Sequence, residues 1–265
     1  MKDFYVVPTP IGNLEDLTFR AKRILEEVSI ILCEDTLYST KLVRKYNSSA
    51  KLISLHKFNE LSRIEEILKL LETKSIALIS DAGTPTINDP GQLLIKELVH
   101  KGIKITPLPG ASAITTALSG SGLEFSIFAF IGFFPKKEKQ LEEIIYKYLN
   151  VDLIIGYESP NRILKTLAIL EATFGDIEVC LARELTKLHE EILTTKISIL
   201  RNKTFKGEIV LLIPTKQISL EDYKLDDLLK IYQQENLSNK TIVNIISKTT
   251  NFKKNQIYER LKKDE

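Results

Sequence analysis

Residues 75–85 have the sequence SIALISDAGTP, a short apolar run that leads into a turn rich in glycine and proline. A short run of this composition, bounded by turn residues, predicts a buried β-strand. Four other runs in the first half of the chain have the same character. With residues 75–80 they give five predicted strands, at residues 4–7, 29–32, 51–55, 75–80 and 103–108.

Amphipathic stretches lie between these runs, and they predict helices at residues 18–27, 60–71 and 93–101. In the second stretch, apolar residues at helical spacing define one face. Gly102 follows the third, where a glycine commonly ends a helix. Because strands that alternate with helices form parallel sheets covered on both faces, the first half predicts an α/β domain.

The second half predicts another α/β domain, with a mixed sheet because two of its strands follow each other almost directly. Residues 120–124 read as a linker. We therefore expect an N-terminal domain at residues 1–120, a second domain at 121–216, a cofactor cleft between them, and a helical C-terminal segment at 217–265. The predicted strands are residues 128–131, 153–157, 178–182, 191–195 and 209–214, and the predicted helices are 140–149, 163–170, 220–234, 238–248 and 254–263.

Composition excludes several classes of protein. Cys33 and Cys180 form no C-x-x-C pair, which argues against a cysteine-based zinc site and fits a reducing cytoplasm. We expect no secretory signal and no membrane helix, since no stretch approaches about 20 apolar residues. The formal net charge is only +2, but residues 237–263 hold seven Lys or Arg and one Glu. Such a segment is either a solvated helical face or a surface that contacts phosphates.

Three turns rich in glycine and proline directly follow predicted strands. They are PTPIGN at residues 8–13, SDAGTP at 80–85 with its continuation NDPG at 88–91, and PLPGASA at 107–113. In open α/β sheets, ligands bind beyond the carboxyl ends of the strands. Each turn alone could be an ordinary connection that ends a strand, but three together favour a ligand site. None matches a dinucleotide-binding or P-loop motif.

The chain resembles the tetrapyrrole methylase superfamily, and within it the branch called ribosomal RNA small subunit methyltransferase I. The match runs in order from Phe4 to Ile213. The segments that carry it are TPIGNLEDLT at 9–18, CEDT at 33–36, SDAGTPTINDPG at 80–91, PLPGASAITTALSGSGL at 107–123, FIGFFP at 130–135, YESPNR at 157–162, ARELTKLHEE at 182–191 and GEIVLLI at 207–213.

This resemblance implies a cytoplasmic, homodimeric, S-adenosylmethionine-dependent rRNA (cytidine-2′-O)-methyltransferase that acts on 16S rRNA within the small ribosomal subunit. It implies no metal, because the methyl group is already activated by positive sulfur. The cofactor-binding residues that it implies are Ile11, Asp81, Ala82, Gly83, Thr84, Ser112, Ala113, Phe133, Tyr157, Leu181, Ala182, Gly207 and Glu208.

A ribose hydroxyl is a poor nucleophile, so a base or a positive charge near the developing alkoxide should assist the reaction. The candidate catalytic residues are His56, Glu60, Arg183, Glu184 and Lys187. The sequence does not assign the base among them. His56 is equally compatible with a structural role, and the Arg183–Lys187 cluster with a set of ion pairs.

Contacts with RNA are predicted for Arg162, Lys136 and Lys137, with stacking on Phe133, Phe134 or Tyr157. Two other functions stay open on the same fold. One is methylation of a tetrapyrrole or of a protein histidine, and the other is a non-catalytic RNA-binding factor of the ribosome.

Overall fold

The computed structural model describes residues 2–46, 49–216, 225–233 and 237–262. The chain divides into two compact units. Unit 1 comprises Met1–Thr116 and Leu185–Leu188, and unit 2 comprises Ala117–Glu184 and His189–Glu265. A short piece of the ARELTKLHEE segment thus belongs to the first unit, although the chain on both sides of it belongs to the second.

Unit 1 contains a five-stranded parallel sheet in the order β3-β2-β4-β1-β5. The five predicted strands are confirmed. The observed strands begin or end at most two residues inside the predicted limits, except that β2 ends one residue beyond its predicted end. The strands are β1 (Phe4–Val6), β2 (Ile30–Cys33), β3 (Lys51–Ser54), β4 (Ile76–Leu78) and β5 (Ile105–Pro107).

Helices cover both faces of this sheet because successive strand residues point to opposite sides. Ile30 and Leu32 face one apolar cluster, built with α3 and α4, whereas Ile31 and Cys33 face another, built with α1 and α2. The helices are α1 (Phe19–Glu27), α2 (Thr36–Tyr46), α3 (Glu60–Leu71), α4 (Gln92–His100) and α5 (Ala113–Gly120).

The sequence analysis missed α2 and α5. In α2 only Ser39 and Val43 are buried, so the apolar stripe that would reveal the helix is weak. The signal that does mark its start is Asp35, whose carboxylate accepts hydrogen bonds from the backbone N–H groups of Leu37 (2.7 Å) and Tyr38 (3.2 Å). Helix α5 is short and carries no charged residue.

Unit 2 contains a mixed sheet in the order β6-β7-β10-β8-β9, as predicted. Only β6 and β7 are parallel, and the other neighbours are antiparallel. The elements are β6 (Phe128–Phe133), α6 (Glu138–Lys147), β7 (Leu153–Glu158), α7 (Ile163–Phe174), β8 (Glu178–Arg183), β9 (Glu191–Lys196), α8 (Ile197–Leu200) and β10 (Ile209–Pro214).

Three C-terminal helices pack on the core of unit 2: α9 (Leu225–Gln233), α10 (Asn239–Thr249) and α11 (Lys254–Leu261). The predicted starts and ends at residues 220, 234 and 263 lie outside the described residues. Ser238 caps α10 as expected, since its Oγ accepts a hydrogen bond from Thr241 N at 3.2 Å. The Tyr232 hydroxyl donates to the carbonyl of Tyr146 at 2.6 Å, which ties α9 to α6. None of the helices in the described ranges is long and apolar enough to cross a membrane.

Candidate active site

The topology of unit 1 brings the three turns together. Strand β1 lies between β4 and β5, and all three are parallel, so the turns that follow them share one edge of the sheet. The chain reverses its winding direction between β1 and β4, because α1 and α2 cover one face and α3 and α4 the other. Ligand sites of open α/β sheets lie at such a reversal.

Backbone hydrogen bonds join the first turn to the second. Thr9 and Gly83 exchange N–H···O bonds of 2.9 and 3.0 Å, and the Thr9 hydroxyl donates to the carbonyl of Ser80 at 3.0 Å. The Ser80 hydroxyl in turn donates to the carbonyl of Gly83 at 2.9 Å. The third turn is joined through Thr84, whose hydroxyl donates to the carbonyl of Ala111 at 3.0 Å.

Two glycines allow this close approach of backbones. A Cβ on Gly110 would lie 2.5 Å from Cβ of Pro8, and one on Gly83 would lie 3.3 Å from Cγ2 of Ile11. Gly83 also has a φ of +85°, which favours glycine. The first and third turns therefore pack directly on each other, with Ile11 against the second.

Strained backbone is concentrated in two of the motifs. Within the described residues, the non-glycine residues with positive φ are Thr86 (70°) and Asn88 (71°) in the second turn, and Glu184 (49°) and Thr186 (65°) in the ARELTKLHEE segment. Each such residue costs on the order of 1 kcal/mol or more and persists only where its surroundings enforce it. Strain of this kind clusters at ligand sites.

A group of carboxylates occupies the same edge of the sheet. Glu34 follows β2, and Asp81 and Asp89 lie in the second turn. Burial, together with the charges of Glu34 and Asp81, raises the pKa of Asp89 from 3.8 to about 6. Burial is also the main cause that raises the pKa of Asp81 and of Glu34, and each of these is raised further by neighbouring carboxylates. This edge consequently carries a concentrated negative potential.

Asp81 is half-buried and is not the cap of its own turn. The hydrogen bonds that act on its carboxyl come from α2 and from the residue before it: Ser39 Oγ lies 3.5 Å from Asp81 Oδ1, and the backbone of Asp35 donates to it. In the same turn as Asp81, Ala82 is exposed and Thr84 is half-buried. The sequence analysis did not single out Glu34, Ser39 or Asp89, although Glu34 and Asp89 lie within its quoted motifs.

Ser112 and Ala113 lie where the third turn enters α5. The carbonyl of Ser112 accepts hydrogen bonds from the hydroxyls of Thr115 (3.2 Å) and Thr116 (2.8 Å). Both Ser112 and Ala113 are half-buried. The predicted cofactor residues of unit 1 are thus brought together on its three turns.

His56 and Glu60 both have structural contacts. The Glu60 side chain is buried, and its Oε1 accepts a hydrogen bond from the backbone N–H of Leu94 (2.9 Å) in the first turn of α4. His56 is half-buried, and its Nδ1 accepts from Phe58 N at 3.2 Å, which places the proton of the neutral ring on Nε2. The geometry therefore favours a capping role for Glu60, and His56 presents a donor.

Lys187 lies against the first turn. A Cβ on Gly12 would lie 2.4 Å from Cγ of Lys187 and 2.9 Å from the carbonyl oxygen of Leu185. The first turn therefore requires glycine at position 12 to accommodate this short segment. Lys187 is the candidate catalytic cation that the structure places beside a predicted cofactor turn.

Glu184 fastens the start of β10 in unit 2. Its Oε1 accepts a hydrogen bond from Glu208 N, and its own N–H donates to the carbonyl of Glu208, both at 3.0 Å. A Cβ on Gly207 would overlap this carboxylate, at 2.1 Å from Oε1, and Gly207 has a φ of +85°. Gly207 and Glu208 are thus held in place by Glu184.

The two candidate arginines also form internal ion pairs. Arg183 faces Glu191 across strands β8 and β9, with Nε 2.7 Å from Oε2. Arg162 Nε donates to the fully buried carboxylate of Glu158 at 2.7 Å, and its Nη2 donates to the carbonyl of Phe134 at 3.0 Å. These bonds favour structural roles, so substrate contact by Arg162 stays a prediction.

An aromatic group lies at the end of β6 and β7. The Phe133 ring is 57% exposed and makes an edge contact with Tyr157, at 5.5 Å between ring centroids. Stacking on Phe134 was expected and is wrong, because this ring is 1% exposed and packs in the core. Leu181 and Ala182 are fully buried, so only their backbone could meet a ligand. Lys136 and Lys137 are exposed beside the same strand end.

No group of three or more His, Cys, Asp or Glu side chains in the described part of the chain could hold a metal ion.

Comparison with known proteins defines the class. Residues 3–200 match the family Tetrapyrrole (Corrin/Porphyrin) Methylases. A crystal structure of diphthine synthase superposes with a TM-score of 0.65 and 15% identity, covering 82% of this chain and 90% of that one. A uroporphyrin-III C-methyl transferase from Thermus thermophilus, complexed with S-adenyl homocysteine, gives a TM-score of 0.57 and 15% identity, with 80% and 98% covered.

The chain belongs to the tetrapyrrole methylase family of S-adenosylmethionine-dependent methyltransferases. Within it, the chain is 40% identical to a ribosomal RNA small subunit methyltransferase I of Vibrio cholerae, which covers 96% of this chain and 92% of that protein. It is 43% identical to the protein of the same name from Thermotoga maritima, with 82% and 100% covered. It therefore belongs to the ribosomal RNA small subunit methyltransferase I branch.

Proposed function

We propose that this chain transfers a methyl group from S-adenosylmethionine to the ribose 2′-hydroxyl of a cytidine in 16S rRNA, within the small ribosomal subunit and in the cytoplasm. The observation that carries the proposal is the joining of three motif turns at one sheet edge in a chain about 40% identical to proteins named for rRNA methylation.

The carboxyl edge of the unit 1 sheet fits the cofactor in shape and charge. S-adenosylmethionine supplies a methyl group on a positively charged sulfur. Burial, and to a lesser extent neighbouring carboxylates, raises the pKa of Asp81, Asp89 and Glu34, so a cation bound among their ionised forms would be stabilised. The tight turns around Gly83 and Gly110 offer backbone groups without bulk. The remaining cofactor residues proposed on unit 1 are Ile11, Ala82, Thr84, Ser112 and Ala113.

On unit 2 we propose that Phe133, Tyr157, Gly207, Glu208 and the backbone of Leu181 and Ala182 complete the cofactor site. Phe133 is exposed and contacts the half-buried Tyr157, and aromatic rings stack on bases. Gly207 exposes backbone that Glu184 holds in position. Lys136 and Lys137 are proposed to contact the phosphates of the RNA.

For the reacting hydroxyl, Lys187 is the strongest of the candidate residues. Its stem is fixed against Gly12 of the first turn, and an ammonium group can stabilise a developing alkoxide. Arg183 and Glu184 are instead proposed to position this segment, because both are engaged in contacts of unit 2. Positioning the hydroxyl in line with the methyl group can supply much of the rate.

A homodimer is also proposed, and exposed apolar side chains support it. Leu37, Phe58 and Leu61 are 83%, 94% and 72% exposed, and they lie at or just before the first turns of α2 and α3. Since both helices follow parallel strands, these ends share one sheet edge. Exposed apolar groups of this size commonly mark protein interfaces. Replacing Phe58 and Leu61 by lysine should convert a dimer to a monomer in sedimentation experiments.

The decisive experiment maps 2′-O-methylation on 16S rRNA from cells that lack this protein, with and without its gene restored. We expect one cytidine to lose its methyl group and to regain it. In parallel, the purified protein with labelled cofactor should methylate small ribosomal subunits and leave porphyrin precursors and elongation factor unlabelled. An unchanged methylation map would overturn the proposal. Calorimetric titration of the cofactor distinguishes an enzyme from a binding factor.

A further inference from the structure

A cleft lies in unit 2 at the opposite end of its sheet from the proposed cofactor residue Tyr157. Its volume is about 580 Å³, and it is enclosed by α10, by residues 149–152 after α6, and by residues 215–216 after β10. Because Pro214 pairs with Leu153 and Ile209 with Glu158, the cleft and Tyr157 lie near opposite ends of these strands. Five residue steps of strand separate them by roughly 16 Å.

The lining of this cleft combines cations, amides and an apolar wall. Lys216 and Lys248 contribute ammonium groups, Asn150 and Asn244 contribute amides, and Ile245 is apolar. The volume falls within the range of about 300–1,000 Å³ that is usual for small-ligand sites.

The charge of the cleft is predominantly positive. Lys254 adds a third ammonium, which donates to Asn244 Oδ1 at 3.0 Å. Asp152 carries the carboxylate of the lining, and Lys216 Nζ lies 3.0 Å from its Oδ1. The backbone N–H groups of Ile127 and Ser126, together with Lys216, lower the pKa of Asp152 to about 2, so the carboxylate is ionised at neutral pH. The lining therefore holds two cations and one anion, Lys254 adds a further positive charge next to Asn244, and an anionic ligand is favoured.

We propose that this cleft binds an unpaired ribonucleotide of the rRNA substrate, with its phosphate at Lys216 and Lys248 and its base against Ile245 and the amides. This proposal rests on the proposed function, since it assigns a second contact for the same RNA. Single-stranded nucleotides are recognised by a positive groove for the backbone and by contacts to splayed bases. The C-terminal helices would then anchor the ribosomal subunit at a distance from the methylated ribose.

Two variants separate charge from shape. K216Q/K248Q removes two cations, whereas N150W fills the cleft and leaves the charge unchanged. The substituted positions of the test and its control all have exposed side chains, so the fold should tolerate the changes. These five positions are Lys216, Lys248, Asn150, Lys101 and Lys104. K101Q/K104Q in unit 1 removes the same charge elsewhere and is the matched control. Circular dichroism verifies that each variant is folded.

The measurement is the affinity for small ribosomal subunits, isolated from cells that lack this protein, across a series of KCl concentrations. Counterion release contributes a slope of about 0.7 per phosphate contact for single strands, so K216Q/K248Q, which removes the one proposed phosphate contact, should reduce the slope by about 0.7. N150W should weaken binding at least tenfold with little change in slope. Cofactor affinity, measured by calorimetry, should not change in either variant.

The proposal is overturned if K216Q/K248Q behaves like K101Q/K104Q, or if N150W binds subunits as tightly as the unaltered chain. These results differ from failure of the proposed function, in which the unaltered chain itself would neither bind the cofactor nor methylate the subunit. In that case the assignment of the cleft to rRNA falls with it.

Discussion

Polar side chains serve different purposes at the turn edge of unit 1 and in the charged clusters of unit 2. In unit 1, the hydroxyls of Thr9, Ser80 and Thr84 bond the turns to one another, while Asp81 and Asp89 keep raised pKa values. In unit 2, Arg162 and Arg183 are paired with Glu158 and Glu191. A raised carboxyl pKa marks a charge that the fold has not compensated.

The contrast shows that charged residues in a family motif need not perform its chemistry. A group that the fold leaves uncompensated is available to a ligand, and perturbed pKa values concentrate at functional sites for this reason. A group that is paired and buried mainly holds the backbone on which the site is built.

The largest effect is expected for Glu158→Ala, on the free energy of unfolding. The buried carboxylate accepts hydrogen bonds from Arg162 Nε, Thr166 Oγ1 and Ser159 N, each at 2.7 Å. Removing it leaves a guanidinium that is only 24% exposed without its anion, and breaking a buried ion pair in this way costs about 3–5 kcal/mol. Urea unfolding followed by circular dichroism measures this loss.

Glu171→Ala provides the control for that substitution, since the Glu171–Arg201 ion pair is partly exposed. Exposed pairs contribute only about 0–1 kcal/mol. Equal losses in the two variants would mean that burial does not distinguish these ion pairs, and the structural role given to Arg162 would fail.

The next largest effect is expected for Asp81→Asn, this time on binding. Asp81 is the half-buried carboxylate of the second turn, and its pKa is raised mainly by burial. A hydrogen bond to a charged group contributes about 1.5–3 kcal/mol, so affinity for S-adenosylmethionine should fall about 10- to 100-fold while the fold is kept. Titration calorimetry measures the affinity.

Glu65→Gln removes the same charge from an exposed position on α3 and should bind the cofactor normally. If both variants retain full affinity, Asp81 does not belong to the cofactor site.

Much of unit 1 could be predicted from the sequence because its signals are local. Buried parallel strands are continuous apolar runs, and tight turns require glycine and proline, so residues 75–85 indicate both a strand and its turn. The contacts between turns could not be predicted this way. The hydrogen bond from Thr84 to Ala111 and the position of Lys187 against Gly12 depend on strand order and on a segment more than 170 residues away along the chain.

The roles of individual charged residues could not be predicted from the sequence motifs either. Glu60 stands in an HKFNE sequence that is compatible with a base, yet its carboxylate caps α4, which begins more than 30 residues later. Arg162 is predicted to bind phosphate, yet its partner Glu158 lies four residues earlier along the chain, at the end of β7. Exposure and partners, rather than residue type, separate these roles.

A moderate effect on stability is expected for Glu60→Ala. Loss of a cap costs about 0.5–2 kcal/mol, and a carboxylate at a helix N-terminus contributes a further fraction through the helix dipole. We expect the free energy of unfolding to fall by about 1–2 kcal/mol, with kcat of the folded enzyme changed less than about twofold.

A general base in the same position would instead contribute about 100- to 10,000-fold to the rate. Glu60→Gln keeps an oxygen that can accept the hydrogen bond from Leu94, so it should lose less stability than Glu60→Ala. If Glu60→Gln folds normally but loses activity to that extent, Glu60 is catalytic and the capping role is secondary.

The smallest effect is expected for Asp89→Asn. It is an effect on the stability of the folded chain, and it depends on pH. The pKa of Asp89 is raised from 3.8 to about 6 in the folded chain, so between these values the folded state binds more protons than the unfolded state. Stability therefore falls as the pH rises through this range. At pH values above 6, Asp89→Asn should be more stable than the unaltered chain by on the order of 1 kcal/mol after allowance for solvent screening, and the difference should vanish below the unfolded pKa.

Affinity for the cofactor should change with pH in the opposite direction to stability if Asp89 contributes to the negative edge of the sheet. A bound cation favours the ionised carboxyl, so the affinity of the unaltered chain for S-adenosylmethionine should rise as the pH passes through about 6. Asp89→Asn should flatten this rise, and S-adenosylhomocysteine, which lacks the sulfonium charge, should show a weaker pH dependence than the cofactor. Equal pH profiles for the two ligands would mean that the carboxylates do not sense the sulfonium, and the cofactor would then be held by the turns through shape and backbone hydrogen bonds alone.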